Sequence, residues 1–206
     1  MSSFLKENTY SMVRLFLTQI VMSVFGLILS FATTGNPTLH LVAGIFSALF
    51  YFVMIFHFVS SIGAADRVRV NGGRMTYQPA GGLILSLGAN LPNLLLTSLM
   101  GVGILIDKTT TGTFGGNMTA IANMLLRLIC GMFTAVITEV SNLIWKPALL
   151  ILEDGSTTKL TNAKIEDIWW WFFVAIALSI LVGFIAYRLG HKNITFDTLF
   201  PKKRED

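Results

Sequence analysis

The sequence predicts an all-α polytopic membrane protein. The expected form is a helical bundle of five transmembrane helices, with six as the alternative and no separate soluble domain. Three observations carry this. The 206 residues are 53% hydrophobic and only 13% charged, against roughly 25% charged in a soluble domain. The apolar residues fall in runs of about 20, the length that crosses a hydrocarbon core. Too little polar sequence remains between the runs to build a soluble domain of ordinary size.

The elements follow in order. The first run covers about 11–32 and the second about 39–63, with "TTGNP" as a turn punctuated by Gly and Pro. Lys6 and Arg14 precede or open the first run, as in a signal peptide. The run is longer than a usual signal core and no A-x-A site follows, so an uncleaved span is expected.

Residues 64–81 form a basic loop. Arg67-Val68-Arg69-Val70 alternate, Asn71-Gly72 favours a turn, and Arg74 to Gln78 return in mixed polarity. The pattern fits either a small hairpin against the headgroups or an unstructured basic loop. In both, Arg67, Arg69 and Arg74 would contact lipid headgroup phosphate. Three arginines in a short loop indicate the cytoplasmic side. Two spans separate that loop from Lys6 and Arg14, so the N-terminus is expected inside, in a bacterial cytoplasmic membrane.

The third run, about 82–106, opens on Gly81-Gly82 and ends at the polar "DKTTTGTFGGN". The fourth is placed at about 118–142, although apolar sequence continues with interruptions to Leu152. The fifth covers about 168–189, and Trp169, Trp170 and Trp171 mark a membrane interface. Five crossings would put Arg188, Lys192, Lys202, Lys203 and Arg204 outside, against the positive-inside rule. Dividing the fourth run near "TEVSN" gives six. Its second piece, with Lys146 and Pro147, is then short for a core of about 30 Å. Charge favours six crossings and length favours five, with 143–152 interfacial or re-entrant. "LEDGS" at 152–156 offers a further turn.

Polar and small residues recur at helical spacing. Gln19, Ser23, Gly26 and Ser30 share one face of the first run; Gly82, Ser86, Asn90, Asn93, Thr97 and Gly101 share one face of the third. Asn123, Arg127, Gly131, Thr134, Thr138 and Ser141 form such a lane in the fourth, and Ala175, Ser179 and Gly183 in the fifth. Small residues let membrane helices approach closely. Two asparagines near mid-membrane need partners. Pro92 frees the carbonyl of Gly88. This is either a kink satisfied by neighbouring helices or a broken helix of the kind that builds solute and ion sites.

Depth along the helices suggests an inner polar cluster of Gln19, His57 and Asn90, with Asn93 beside it. Arg127 cannot shed its charge and needs an anion, a partner or water. It is expected to face the interior and meet Asn90, Asn93 or Thr97, or a water-filled cavity open to the outside. On a straight fourth helix it cannot pair with Glu139, twelve residues on, and Glu139 and Lys146 are expected near an interface. These five residues (Gln19, His57, Asn90, Asn93 and Arg127) are the ligand-binding candidates.

Several functions are disfavoured. Cys130 is alone, so no intramolecular disulfide forms. His40, His57 and His191 lack metal-ligand spacing, and no cofactor or ATP motif occurs. No convergent acid–base set or nucleophile motif points to an enzyme. The charge of +4 reads as topology rather than nucleic-acid affinity. The expected function is the handling of a small solute or ion, as a permease or substrate-binding subunit energised by a partner or a gradient. The alternative is an assembly protein that binds another membrane protein through small-residue helix faces. The lipid bilayer is the partner in either case.

Overall fold

The structure is a computed structural model and describes residues 2–109, 113–145, 148–151, 157–160 and 165–194. Three long helices come first: α1 (Ser2–Thr33), α2 (Pro37–Asn71) and α3 (Gly81–Thr109). A shorter pair follows, α4 (Phe114–Ile129) and α5 (Thr134–Ile144), joined by a single 3-10 turn at Gly131–Phe133. Two short strands, β1 (Ala148–Ile151) and β2 (Thr157–Leu160), precede the one-turn α6 (Ile165–Ile168) and the long α7 (Trp170–His191). Among the described residues four helices are long and apolar enough to cross a membrane, or five when the bent α4–α5 pair counts as one span. The chain is a helical membrane protein.

Local chemistry sets the helix ends. Asn36 caps α2, its Oδ1 accepting from the backbone N–H groups of Thr38 and Leu39 at 3.1 and 3.2 Å. Pro37 then opens the helix, where its missing N–H costs nothing. At the other end of the chain Asn193 takes φ 66. Ile194 N–H reaches back to Leu189 O at 2.9 Å and Asn193 N–H to Gly190 O at 2.8 Å. This is a Schellman-type closure, which satisfies the last carbonyls of α7.

Two expectations are corrected. Residues 64–71 are helical, so no hairpin forms at 66–78; α2 runs through Asn71 and turns at Gly72–Gly73. Helical geometry places Asp66 one turn from Arg69, and they pair at 3.4 Å, an arrangement that alternating strand residues would not allow. A hairpin forms instead where β1 pairs antiparallel with β2, Ala148 opposite Leu160 and Ile151 opposite Thr157. Lys146, Pro147 and the turn at 152–156 lie outside the described residues, as do Lys202, Lys203 and Arg204.

The fourth run is also not one straight helix. It bends by 87° between α4 and α5. The break frees backbone groups, and Ser23 of α1 meets them. Its hydroxyl donates to Leu128 O and accepts from Gly131 N–H. A Cβ at Gly131 would collide with Leu27 and Ser23, so only glycine lets α1 come this close.

The chain divides into two compact units. The first comprises Met1–Gln19, Leu49–Pro92 and Ile176–Asp206. In it α2 and α7 touch backbone to backbone: a Cβ at Gly63 would meet the carbonyl of Tyr187, and one at Gly190 the carbonyl of Ser60. Gly82 lies against Tyr187 and Gly183, and Ser86 lies against Gly183, so α3 and α7 run antiparallel there. The second unit comprises Ile20–Ala48 and Asn93–Ala175. There Gly26 packs on Met132, Gly44 on Ala135 and Val136, and Gly103 on Thr119 and Gly115.

Candidate functional site

The lanes read from the sequence of the first and third runs face inward. Gln19, Ser23 and Ser30 are buried on α1, as are Ser86, Asn90, Asn93 and Thr97 on α3. Gln19 and Asn90 meet in the first unit, where with Leu15, Tyr51, Ile55, Ser86, Ala89 and Ser179 they line a void of about 10 Å³. That is at the lower limit for one water molecule. Among the described residues Ser86 Oγ is buried without a hydrogen-bond partner. Asn90 donates from its side chain to Ser86 O at 3.0 Å, and Thr97 donates to Asn93 O at 2.7 Å. α3 is continuous through Pro92, so its polar residues bond partly to their own helix.

His57 does not join this group. Tyr51, Ile55 and Val59 are the buried face of α2, and His57 lies on its exposed side. The expected inner cluster is thus Gln19 and Asn90 with two serines, without the histidine. Asn93 is buried one turn farther along α3, in the second unit, and does not line the void. Arg127 is half-buried, and its Nε donates to Asn123 Oδ1 at 3.2 Å. Among the described residues this is its hydrogen bond, rather than one to Asn90, Asn93 or Thr97. Arg67 is half-buried and Arg74 exposed, while Arg69 is held by Asp66.

Two clusters of buried ionisable groups lie outside the predicted candidate set. Asp66 is 1% exposed, near the end of α2. The Tyr187 hydroxyl donates to its Oδ2 at 2.9 Å. The second is more consequential. In the second unit Ser30 Oγ lies 2.8 Å from His40 Nε2, and His40 Nδ1 lies 2.6 Å from Glu139 Oε1. Ser30 and His40 are buried, and the Glu139 side chain is 15% exposed. Three helices supply the chain. Ser30 ends the α1 lane, the Asn36 cap sets His40 in the first turn of α2, and α5 brings Glu139. The 87° bend gives α5 a direction that a straight fourth helix would not have.

This chain can hold a proton in two ways. When His40 is neutral with hydrogen on Nδ1, it donates to Glu139 and Ser30 donates to Nε2. When His40 is a cation, Nε2 donates to Ser30 instead. Only the hydroxyl has to turn, since Ser is both donor and acceptor. The order Ser–His–carboxylate also matches that of hydrolytic triads. Acyl transfer, however, needs room about 3 Å from the hydroxyl and free N–H donors beside it. Ser30 lines none of the cavities described here, and it sits within regular helix, which runs to Thr33.

Two further cavities are open grooves. One of about 380 Å³ is lined by Tyr77, Phe184, Ile185, Arg188, Leu189, His191 and Lys192. The other, about 460 Å³, lies between α3 and the start of α7 and includes Lys108, Glu166 and Trp169. Lys108 and Glu166 pair there at 2.9 Å. Among the described residues no group of three or more metal-ligating side chains comes together. No family model, no curated protein and no solved structure matches this chain.

Proposed function

We propose that this protein handles a small ion within the membrane, and that the ion is the proton. The buried Ser30–His40–Glu139 chain carries the reading. A buried ionisable pair needs partners, and in membrane proteins such pairs mark ion pathways and proton relays; here it lies where the end of α1 and the start of α2 meet α5. The two imidazole nitrogens can give and accept hydrogen bonds at the same time, which a relay requires. The assembly-protein alternative draws less support, because Gly63, Gly82, Gly183 and Gly190 face neighbours within the chain.

We place the loop at 72–80 and both ends of the described chain on the cytoplasmic side. In the first unit α7 returns antiparallel to α3, and Tyr77 stacks on His191 with centroids 4.2 Å apart. Arg188 and Lys192 then lie with the loop arginines, as the positive-inside rule prefers.

The test is proton movement. Reconstituted in vesicles, the full chain should dissipate an imposed pH gradient, read by an internal dye. Glu139→Gln and His40→Gln should abolish that dissipation, while Arg74→Gln should leave it intact. A wild-type protein that leaves the gradient standing, or folded variants that dissipate it equally, would overturn the proposal.

A further inference from the structure

The groove at the C-terminal end of α7 joins an apolar floor to a cationic rim. Its floor is apolar, from Phe184, Ile185 and Leu189, and its cations are Arg188 and Lys192. Both cations are exposed, and among the described residues neither pairs with an acidic side chain. The groove near the other end of α7 is the internal contrast, for there Lys108 is neutralised by Glu166.

Three details keep the site positive and open. A helix C-terminus ordinarily repels anions through its free carbonyls. Here the Schellman-type closure at Asn193 and Ile194 satisfies the carbonyls of Leu189 and Gly190. The Arg188 guanidinium lies over the Phe184 ring at 4.3 Å. Stacking uses the flat face of the fork and leaves its edge N–H donors for a phosphate or carboxylate. Tyr77 stacks on His191 at 4.2 Å, and His191 Nδ1 is buried with no hydrogen-bond partner among the described residues. A volume of about 380 Å³ falls within the range of about 300–1,000 Å³ typical of small-molecule sites.

We infer that this groove binds the headgroup of an anionic phospholipid. Arg188 and Lys192 would hold the phosphate, and the first acyl carbons would lie along Phe184, Ile185 and Leu189. An apolar floor below a paired cationic rim fits an amphiphile, whereas a free anion would leave the floor uncovered. This site is distinct from the loop arginines Arg67 and Arg74, and it does not depend on the proton reading.

The experiment uses the full chain in detergent and native mass spectrometry, with phosphatidylglycerol as the probe. Wild type should retain phosphatidylglycerol in preference to phosphatidylcholine. Each cation removed, Arg188→Gln or Lys192→Gln, should weaken retention about fivefold, and both together about thirtyfold. Arg67→Gln with Arg74→Gln should change it less. Inorganic phosphate at equal concentration should not displace the lipid. In parallel, a photoreactive phosphatidylglycerol should label wild-type protein at Tyr77 and within 184–192, a readout that needs no variant to fold. Equal retention of the two lipids, unchanged binding in the double variant, displacement by phosphate, or labelling confined to other segments would each overturn the inference.

Discussion

The two units handle polar groups inside a membrane in opposite ways. In the first, the helices are continuous, and their polar side chains are served either by their own helix or by a direct side-chain contact between helices. Asn90 bonds back to Ser86 O on its own helix, and Tyr187 serves Asp66 across a contact that glycines bring to backbone distance. In the second, a helix is broken, and the groups this frees or reorients are met by side chains far away in sequence. Ser23 answers the break itself, and His40 answers Glu139 beyond it. A continuous helix can satisfy itself, whereas a bent one recruits partners, and the recruited partners here include the titratable pair.

The comparison can be broken most forcefully at Glu139. Removing one member of a buried pair leaves the other uncompensated, which costs about 3–5 kcal/mol. Glu139→Ala should therefore lower stability in detergent by that order, measured by denaturant unfolding. Loss of less than about 1 kcal/mol would mean that the pair behaves as an exposed one. Ser23→Ala comes next. It leaves Leu128 O and Gly131 N–H without their partner, at about 1–3 kcal/mol for a buried group unsatisfied. Restored stability in Ser23→Thr, which keeps the hydroxyl, would tie the loss to those hydrogen bonds.

Tyr187→Phe tests the first unit in the same terms. It removes one hydrogen bond to a carboxylate and almost no volume, so a loss of about 1.5–3 kcal/mol is expected. The loss should shrink when Asp66→Asn is already present, because both substitutions remove the same interaction. Additive losses would show that the phenol acts through packing on Gly81 and Gly82 rather than through Asp66.

The helical bundle and the inward lanes were legible because they rest on local periodicity. Ser86, Asn90, Asn93 and Thr97 all proved buried, since spacing along one helix decides which residues share a face. His57 escaped that logic, because its position around α2 takes it off the buried face. Tyr51, Ile55 and Val59 define the buried stripe, and His57 falls between their turns. Ser30, His40 and Glu139 were beyond reach for a different reason. His40 and Glu139 are 99 residues apart, and their meeting depends on a bend that no proline announces. The basic stretch after Ala65 was misread because Asn-Gly and alternating arginines resemble a hairpin, while the Asp66–Arg69 spacing, a helical one, carried the better signal.

Arg127 yields the smallest expected effect and the sharpest limit on the comparison. It lies in the second unit, on α4 before the bend, yet it behaves like the first: its bond is to Asn123, one turn back on the same helix. Such an i,i+4 pair contributes about 0.2–0.5 kcal/mol. Arg127→Gln keeps a long polar side chain able to reach the same amide, so unfolding should shift by no more than that. Arg127→Leu separates two environments. If the half-buried guanidinium meets water, replacing it with an apolar side chain should cost stability through lost solvation of the neighbouring Asn123. If it meets lipid, the same change removes a charge whose cost in hydrocarbon is at least about 2.5–3.5 kcal/mol, and stability should rise. A gain of that size would place the face of α4 that carries Asn123 and Arg127 against acyl chains, and α4 would then join the self-satisfied helices on energetic as well as geometric grounds.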